Sequence, residues 1–274
     1  MSQWWLALAV PLWSMAWGAA PTYSTAGIVN ASNYTAGPFA PYSILTIFGT
    51  SLADPGSTPQ SLSATATALP TNLNGTEVIV NGSPAPLFYV SDTQINFLLP
   101  MTLDPTLGSP TIWVTHNSNA GPVVSIALAD GAPALFPNPA NTSYVLAQHG
   151  ADYSLITPDH PAQGGEIVVV YATGLGKVTG PFEGMASTAI PQYASPVVNL
   201  SELTVTLAGA AVDPTYIKYA GLTPGFAGLY QINVAIPYDA GKDPEIRVAM
   251  GAQSSPAGLA LAVQPAQLST SAAR

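Results

Sequence analysis

Short runs in which apolar and polar residues alternate recur down the chain, each bounded by Gly, Pro, Asn or Ser. The clearest is Leu203-Thr-Val-Thr-Leu207, apolar on one face and threonine on the other. Tyr230-Gln-Ile-Asn-Val-Ala-Ile236 and Glu245-Ile-Arg-Val-Ala-Met250 repeat the pattern, directing Ile232 and Val234, then Ile246 and Val248, toward a core. A period of two is the period of a strand, and no window after residue 20 sustains the i, i+3, i+4 spacing of an amphipathic helix. The pattern predicts an all-β chain whose strands keep one wet face. With 24 Gly and 27 Pro, the punctuation between strands is dense.

The chain also resembles itself. Ile44-Leu-Thr-Ile-Phe-Gly-Thr-Ser-Leu52 matches Ile167-Val-Val-Val-Tyr-Ala-Thr-Gly-Leu175, and Gln94-Ile-Asn-Phe-Leu-Leu-Pro100 matches Gln231-Ile-Asn-Val-Ala-Ile-Pro237. Thr111-Ile-Trp-Val-Thr115 up to Pro122 matches Glu245-Ile-Arg-Val-Ala249 up to Pro256, and a last apolar strand follows each, Val123 to Ala129 and Leu259 to Gln264. Four blocks in one order, at offsets between 123 and 137 residues, predict two related units in tandem. About seven short strands per roughly 100 residues is the pattern of an immunoglobulin-like sandwich. The expected fold is therefore two tandem immunoglobulin-like β-sandwich domains, at 27–131 and 164–265. Residues 132–163 are expected to lie between them as a packed hairpin of Tyr144 to Gln148 and Tyr153 to Thr157 around His149-Gly150, and 266–274 as a tail.

Residues 4–20 (WWLALAVPLWSMAWGAA) are apolar throughout and end in small residues before the polar Thr22-Tyr23-Ser24-Thr25. This predicts an export signal over 1–20, cleaved after Gly18 with Ala16 two positions earlier. An uncleaved anchor is the competing reading, since the run is at the short edge of what spans a bilayer. Four of the five tryptophans lie here, leaving Trp113 in the exported chain.

Charge narrows the function. Only 7% of residues are charged, 48% are hydrophobic, and five basic against fourteen acidic residues give a net charge of −9. Such a surface cannot neutralise a run of phosphates, which excludes nucleic acid, and it disfavours anionic membranes beyond the leading segment. The absence of Cys removes disulfides, thiolate nucleophiles and Cys-bound zinc. All five basic side chains, Lys177, Lys218, Lys242, Arg247 and Arg274, lie after Gly176. The carboxylates of 27–131 then see like charge or none, so repulsion should raise their pKa values and leave the first unit no less stable at pH 4 than at pH 7.

Candidate chemistry is thin. Ser154 beside Asp159 and His160 invites a hydrolase reading, but no Gly-x-Ser-x-Gly elbow exists and Asp-His-Pro reads as a turn. Gly174-Leu-Gly-Lys177 is a fragment of a phosphate loop in which Val178 stands where Ser or Thr is needed. Asp239, Asp243 and Glu245 cluster without calcium-loop spacing. Gln94 with Asn96, and Gln231 with Asn233, fall on the same two-step face in both repeats, where amides are expected to satisfy backbone groups of an adjacent loop. Trp113 sits opposite Ile112 and Val114, placed either to stack on a sugar ring or to be covered by the neighbouring domain. Sequons such as Asn33-Tyr-Thr35 and Asn141-Thr-Ser143 follow from composition. No residue is assigned a catalytic, cofactor-binding or metal-binding role.

Several segments together resemble one family: Gly27-Ile-Val-Asn-Ala-Ser, Ile47-Phe-Gly-Thr-Ser-Leu-Ala53, Pro84-Ala-Pro-Leu-Phe-Tyr-Val-Ser91 leading into Gln94-Ile-Asn96, Tyr171-Ala-Thr-Gly-Leu-Gly176, and Gly225-Phe-Ala-Gly-Leu-Tyr-Gln-Ile-Asn233. They are similar to the uncharacterised Solibacter-type C-terminal domain found on exported bacterial proteins, and the single units resemble IPT/TIG-type immunoglobulin-like modules. The resemblance implies adhesion, spacing or binding and carries no catalytic residue. The expected function is that of a secreted or cell-surface, non-catalytic protein binding polysaccharide or another protein. A hydrolase centred on Ser154, Asp159 and His160 and a structural envelope component are the alternatives.

Overall fold

The computed structural model describes residues 18–61, 66–183, 185–186 and 188–265. Nearly all of the expected export segment, with its four tryptophans, and the 266–274 tail fall outside these residues. The longer strands of the first unit are β1 (Thr22–Asn30), β2 (Ile44–Thr50), β3 (Thr76–Val80), β4 (Leu87–Val90), β5 (Gln94–Leu98) and β6 (Thr111–His116). One antiparallel sheet runs β1-β2-β5-β4 and ends on the short strand Gln60–Ser61; the facing sheet is built on the β3–β6 pair. Alternation decides the faces: Leu45, Ile47, Ile95, Phe97, Val78, Val80, Ile112 and Val114 all turn inward and are buried in one cluster.

The second unit repeats the plan with β7 (Ala147–His149), β8 (Ile167–Thr173), β9 (Leu203–Leu207), β10 (Ile217–Leu222), β11 (Tyr230–Ala235) and β12 (Ile246–Met250). Its larger sheet pairs β7 with β8, β8 with β11 and β11 with β10. The facing sheet rests on β9 and β12. Even the closing segments agree, since Phe39 bridges Leu128 in parallel and Ala162 pairs Val263 in parallel. The protein is all-β, two immunoglobulin-like sandwiches in tandem, and among the described residues no helix is long and apolar enough to cross a membrane.

Residues 132–163 belong to the second sandwich. Ala134–Leu135 and β7 both pair with β8, a hairpin joins Pro137–Asn138 to Asn141–Val145, and Gln148 bridges Leu155. This segment carries five apolar buried residues (Leu135, Val145, Ala147, Ile156 and Ala162) into the second unit's core, which explains why its composition is too apolar for a linker.

That same core reaches into the first unit. Tyr42, Leu69 and Leu98 are buried within it. The Tyr42 ring lies 5.3 Å from Phe182, its hydroxyl donates to the Ala189 carbonyl at 3.3 Å, and burial pushes that hydroxyl well above the ordinary phenol range. The amide of Ile44 donates to Thr173 Oγ1 at 3.0 Å, and Thr173 Oγ1 donates to the Gly228 carbonyl at 2.9 Å. Each fully buried large side chain contributes about 1.5–3 kcal/mol, so three of them hold the units as one body.

Candidate binding site

On β2 the inward Leu45 and Ile47 leave Thr46 and Phe48 on the outer face, and on β5 the inward Ile95 and Phe97 leave Gln94 and Asn96 there. Cross-strand register then sets Phe48 opposite Gln94 and Thr46 opposite Asn96. A bulge between Leu87 and Tyr89 brings Tyr89 opposite Asn96 on the next strand. Gln94 Nε2 donates to Asn96 Oδ1 at 2.8 Å, and the Thr46 hydroxyl donates to the same oxygen at 3.0 Å.

A turn beyond β1 adds a second aromatic. Tyr34 N donates to Asn30 O and Asn30 N to Thr35 O, both at 2.9 Å, while Thr35 N and Oγ1 donate to Asn33 Oδ1 at 3.1 and 2.8 Å. These bonds hold Tyr34 at φ 58 with 59% of its surface exposed, and its ring centroid lies 5.7 Å from that of Phe48. Phe48 is itself 41% exposed.

The second unit reproduces the amide pair and the turn bonds, although Val169 stands opposite Asn233 where Thr46 stands opposite Asn96, and the Tyr171 hydroxyl donates to Gln148 Oε1. Tyr171 lies opposite Gln231, and a bulge between Ile217 and Tyr219 brings Tyr219 opposite Asn233. Gln231 Nε2 donates to Asn233 Oδ1 at 3.1 Å. Beyond β7, Tyr153 N donates to His149 O and His149 N to Ser154 O, both at 2.9 Å, while Ser154 N and Oγ donate to Asp152 Oδ1 at 2.9 and 2.7 Å. Tyr153 sits at φ 59 and is 63% exposed. Burial, and after it the neighbouring Tyr153 hydroxyl, raises the Tyr171 pKa above the ordinary phenol value.

Two features mark these sets. A bulky non-glycine residue in the left-handed region costs about 1–2 kcal/mol, and folding alone would favour Gly or Asn there. The chain accepts that cost at Tyr34 and Tyr153, both exposed, as it also does at the fully buried Tyr42 and at Ser51, Ser118 and Ala208. The amides also differ from expectation: they bond each other rather than a loop backbone, so Gln Oε1 and Asn Nδ2 in both units make no bond among the described residues. What results is a half-buried strip of uncharged aromatic faces beside an open acceptor and an open donor, with the exposed Asp152 next to it in the second unit's turn. Aromatic faces stack on the C–H face of a sugar ring, and amides match its hydroxyls.

The other candidates resolve into structure. The Ser154 hydroxyl donates to Asp152, as Thr35 does to Asn33. Thr157 and His160 exchange backbone bonds at 3.1 and 3.0 Å, leaving Asp159 at an exposed turn tip. No hydrogen bond joins Ser154, Asp159 and His160 among the described residues. Instead the His160 ring lies tilted at 39° with its centroid 4.3 Å from that of His149, whose Nδ1 contacts Glu166 Oε1 and whose Nε2 lies 3.3 Å from the His160 carbonyl. His116, the buried last residue of β6, is held between Thr76 Oγ1 at 2.9 Å and Asp54 Oδ1 at 3.0 Å. A Cβ on Gly174 or Gly176 would strike the carbonyls of Ala132 or Asp130, so this glycine pair serves close backbone packing. Asp243 and Glu245 accept from the amides of Val263 and Gly258, and no group of three His, Asp or Glu among the described residues is placed to hold a metal. Trp113 is half-buried on β6, across from Ile79.

Sequence reasoning found Gln94, Asn96, Gln231 and Asn233 but missed the aromatics around them. The signal was present for Phe48 and Tyr171, which fall at the same place in the first matching block. For Tyr34 and Tyr153 it was Asn33-Tyr-Thr35 against Asp152-Tyr-Ser154, offset by 119 residues and so outside the range of the other blocks.

No family model and no curated relative matches the chain. Among solved structures, the plexin A4 extracellular region aligns at 12% identity and TM-score 0.30, covering 96% of this chain and 20% of that one. The γ-CGTase of Alkalophilic bacillus clarkii aligns at 13% identity and TM-score 0.26, covering 84% and 23%. The tandem Ig repeats of Dlar align at 11% identity and TM-score 0.21, covering 90% and 96%. The chain thus spans less than a quarter of the first two. The fold assignment rests on the strand order described above.

Proposed function

We propose that this is an exported, non-catalytic tandem sandwich that acts at the cell surface or outside the cell by binding a neutral, hydroxyl-rich partner, a polysaccharide, through the outer face of its larger sheets. The observation that carries this reading is the duplicated strip of exposed tyrosine, strand aromatic, Gln and Asn, whose amides leave an acceptor and a donor open toward solvent. The acidic net charge of −9 favours a neutral glycan over an anionic one. The export segment at 4–20 and the likeness to the Solibacter-type domain enter as parts of the same proposal.

Affinity electrophoresis of the full chain through gels containing soluble β-glucan, xylan, galactomannan or dextran, with alginate as the anionic control, tests it. Retardation by at least one neutral polymer, lost in the Tyr34→Gly/Tyr153→Gly double variant, is expected. Gly accepts both backbone conformations, so the variant keeps its fold. No retardation in any neutral gel, or equal retardation of the double variant, refutes the reading.

A further inference from the structure

We infer that the second unit carries a glycan site equivalent to the first and that the two engage a single neutral polymer at two points. The inference rests on the functional reading above and adds to it the length of the ligand.

Equivalence is residue by residue. Phe48, Gln94, Asn96 and Tyr89 correspond to Tyr171, Gln231, Asn233 and Tyr219 by register and by the matching bulges. Tyr34 corresponds to Tyr153 by the same turn bonds. The next bond of each turn agrees as well, Ala31 N donating to Ile44 O at 3.0 Å and Gly150 N to Ile167 O at 2.8 Å.

Geometry then joins the strips. Ile44 and Leu98 stand on the outer face of the first sheet, in line with Phe48 and Gln94, and Thr173 stands on the outer face of the second, in line with Tyr171. These residues form the junction: Ile44 N donates to Thr173 Oγ1, and Gly228 packs on Ile44 and Leu98. The two sheets therefore meet at their strand ends, in a junction where Leu98 and Thr173 are fully buried. From Phe48 back to Ile44, across that bond, and from Thr173 to Tyr171, the path is at most about 25 Å at the rise of a strand. No flexible linker intervenes, because Tyr42, Leu69 and Leu98 are buried in the second unit's core. A polymer held at one strip is presented to the other at a fixed, short separation, the condition under which a second contact multiplies affinity. A sugar shorter than the separation gains nothing.

Calorimetric titration of the full chain tests this with a neutral polymer that retards it in the gels and with oligosaccharides of the same linkage, graded upward from the disaccharide. Wild type should bind two short oligosaccharides per chain, and its affinity should rise on the order of 10²-fold once the ligand exceeds about 25 Å. Tyr34→Gly and Tyr153→Gly should each bind one short oligosaccharide at unchanged affinity and hold the polymer no tighter than that. If Tyr153→Gly titrates like wild type, the second site falls while the functional reading stands. If polymer and short oligosaccharide bind equally well per site, the bridging falls. A wild-type chain that binds no neutral polysaccharide in either assay removes the functional reading itself. Thermal melts of both variants confirm that lost binding is not lost folding.

Discussion

Substituting Gly228 by Ala tests whether the two sandwiches are one body. Gly228 has φ 71, and a Cβ there would lie 2.5 Å from Leu98 Cδ1 and 2.6 Å from Ile44 Cγ1. Leu98 is fully buried and has nowhere to move. The loop cannot retreat either, because its carbonyl receives the Thr173 hydroxyl, which in turn receives the Ile44 amide. Left-handed strain of about 1 kcal/mol and overpacking of about 1–3 kcal/mol together give a loss of about 2–4 kcal/mol. For a chain of this size that is a fall in Tm of about 5–15 °C. Gly209→Ala is the control, since Gly209 has φ 82 but an added Cβ meets nothing within 4 Å, so it reports the strain alone. Scanning calorimetry of both variants isolates the interface contribution as their difference. Equal melting of the two would refute the packed junction, and with it the fixed separation of the two strips.

The acid limb of stability should run opposite to the expectation from sparse charge. Hydrogen bonds from Thr106, Ser154 and Thr215 hold the carboxylates of Asp104, Asp152 and Asp213 below the ordinary value of 3.8, so each contributes stability above that value that is lost as pH falls through its folded pKa. The triple Asp→Asn variant should therefore lose less Tm than wild type between about pH 5 and about pH 2, and an equal loss overturns this assignment. His149→Ala leaves the partly buried Glu166 without its ring partner, and urea denaturation should show a loss of about 1–3 kcal/mol; a neutral result would mean the pair is not stabilising. Tyr42→Phe removes the bonds of a buried hydroxyl and should cost about 1 kcal/mol by the same assay, with an unchanged midpoint counting against the Ala189 contact.

The pH expectation meets a local counterexample. It counted charges along the chain, where 27–131 has no basic residue. Asp104 instead takes two bonds from Thr106 in its own turn, at 2.9 and 2.7 Å, and such bonds favour the ionised form without any cation. The placing of 132–163 between the units had a similar cause. The matching blocks began at Ile44 and Ile167, so the partner of β1 went unseen. β7 is three residues long, shares little sequence with β1, and is recognisable only by its pairing with β8.

The sequence by itself determined the strands, their inward faces and the duplication, because a side-chain period of two and a repeated order of blocks are local properties of the chain. It also placed Gln94, Asn96, Gln231 and Asn233 on equivalent outer positions. Tertiary structure decided what surrounds them. The turns that hold Tyr34 and Tyr153 at positive φ are closed by bonds within five residues, but register between strands and the bulges that aim Tyr89 and Tyr219 depend on the partner strands. Packing decides the burial of Tyr42, Leu69 and Leu98, which turns two sandwiches into one body. Periodicity fixes which face a residue occupies, whereas only packing fixes which residues that face brings together.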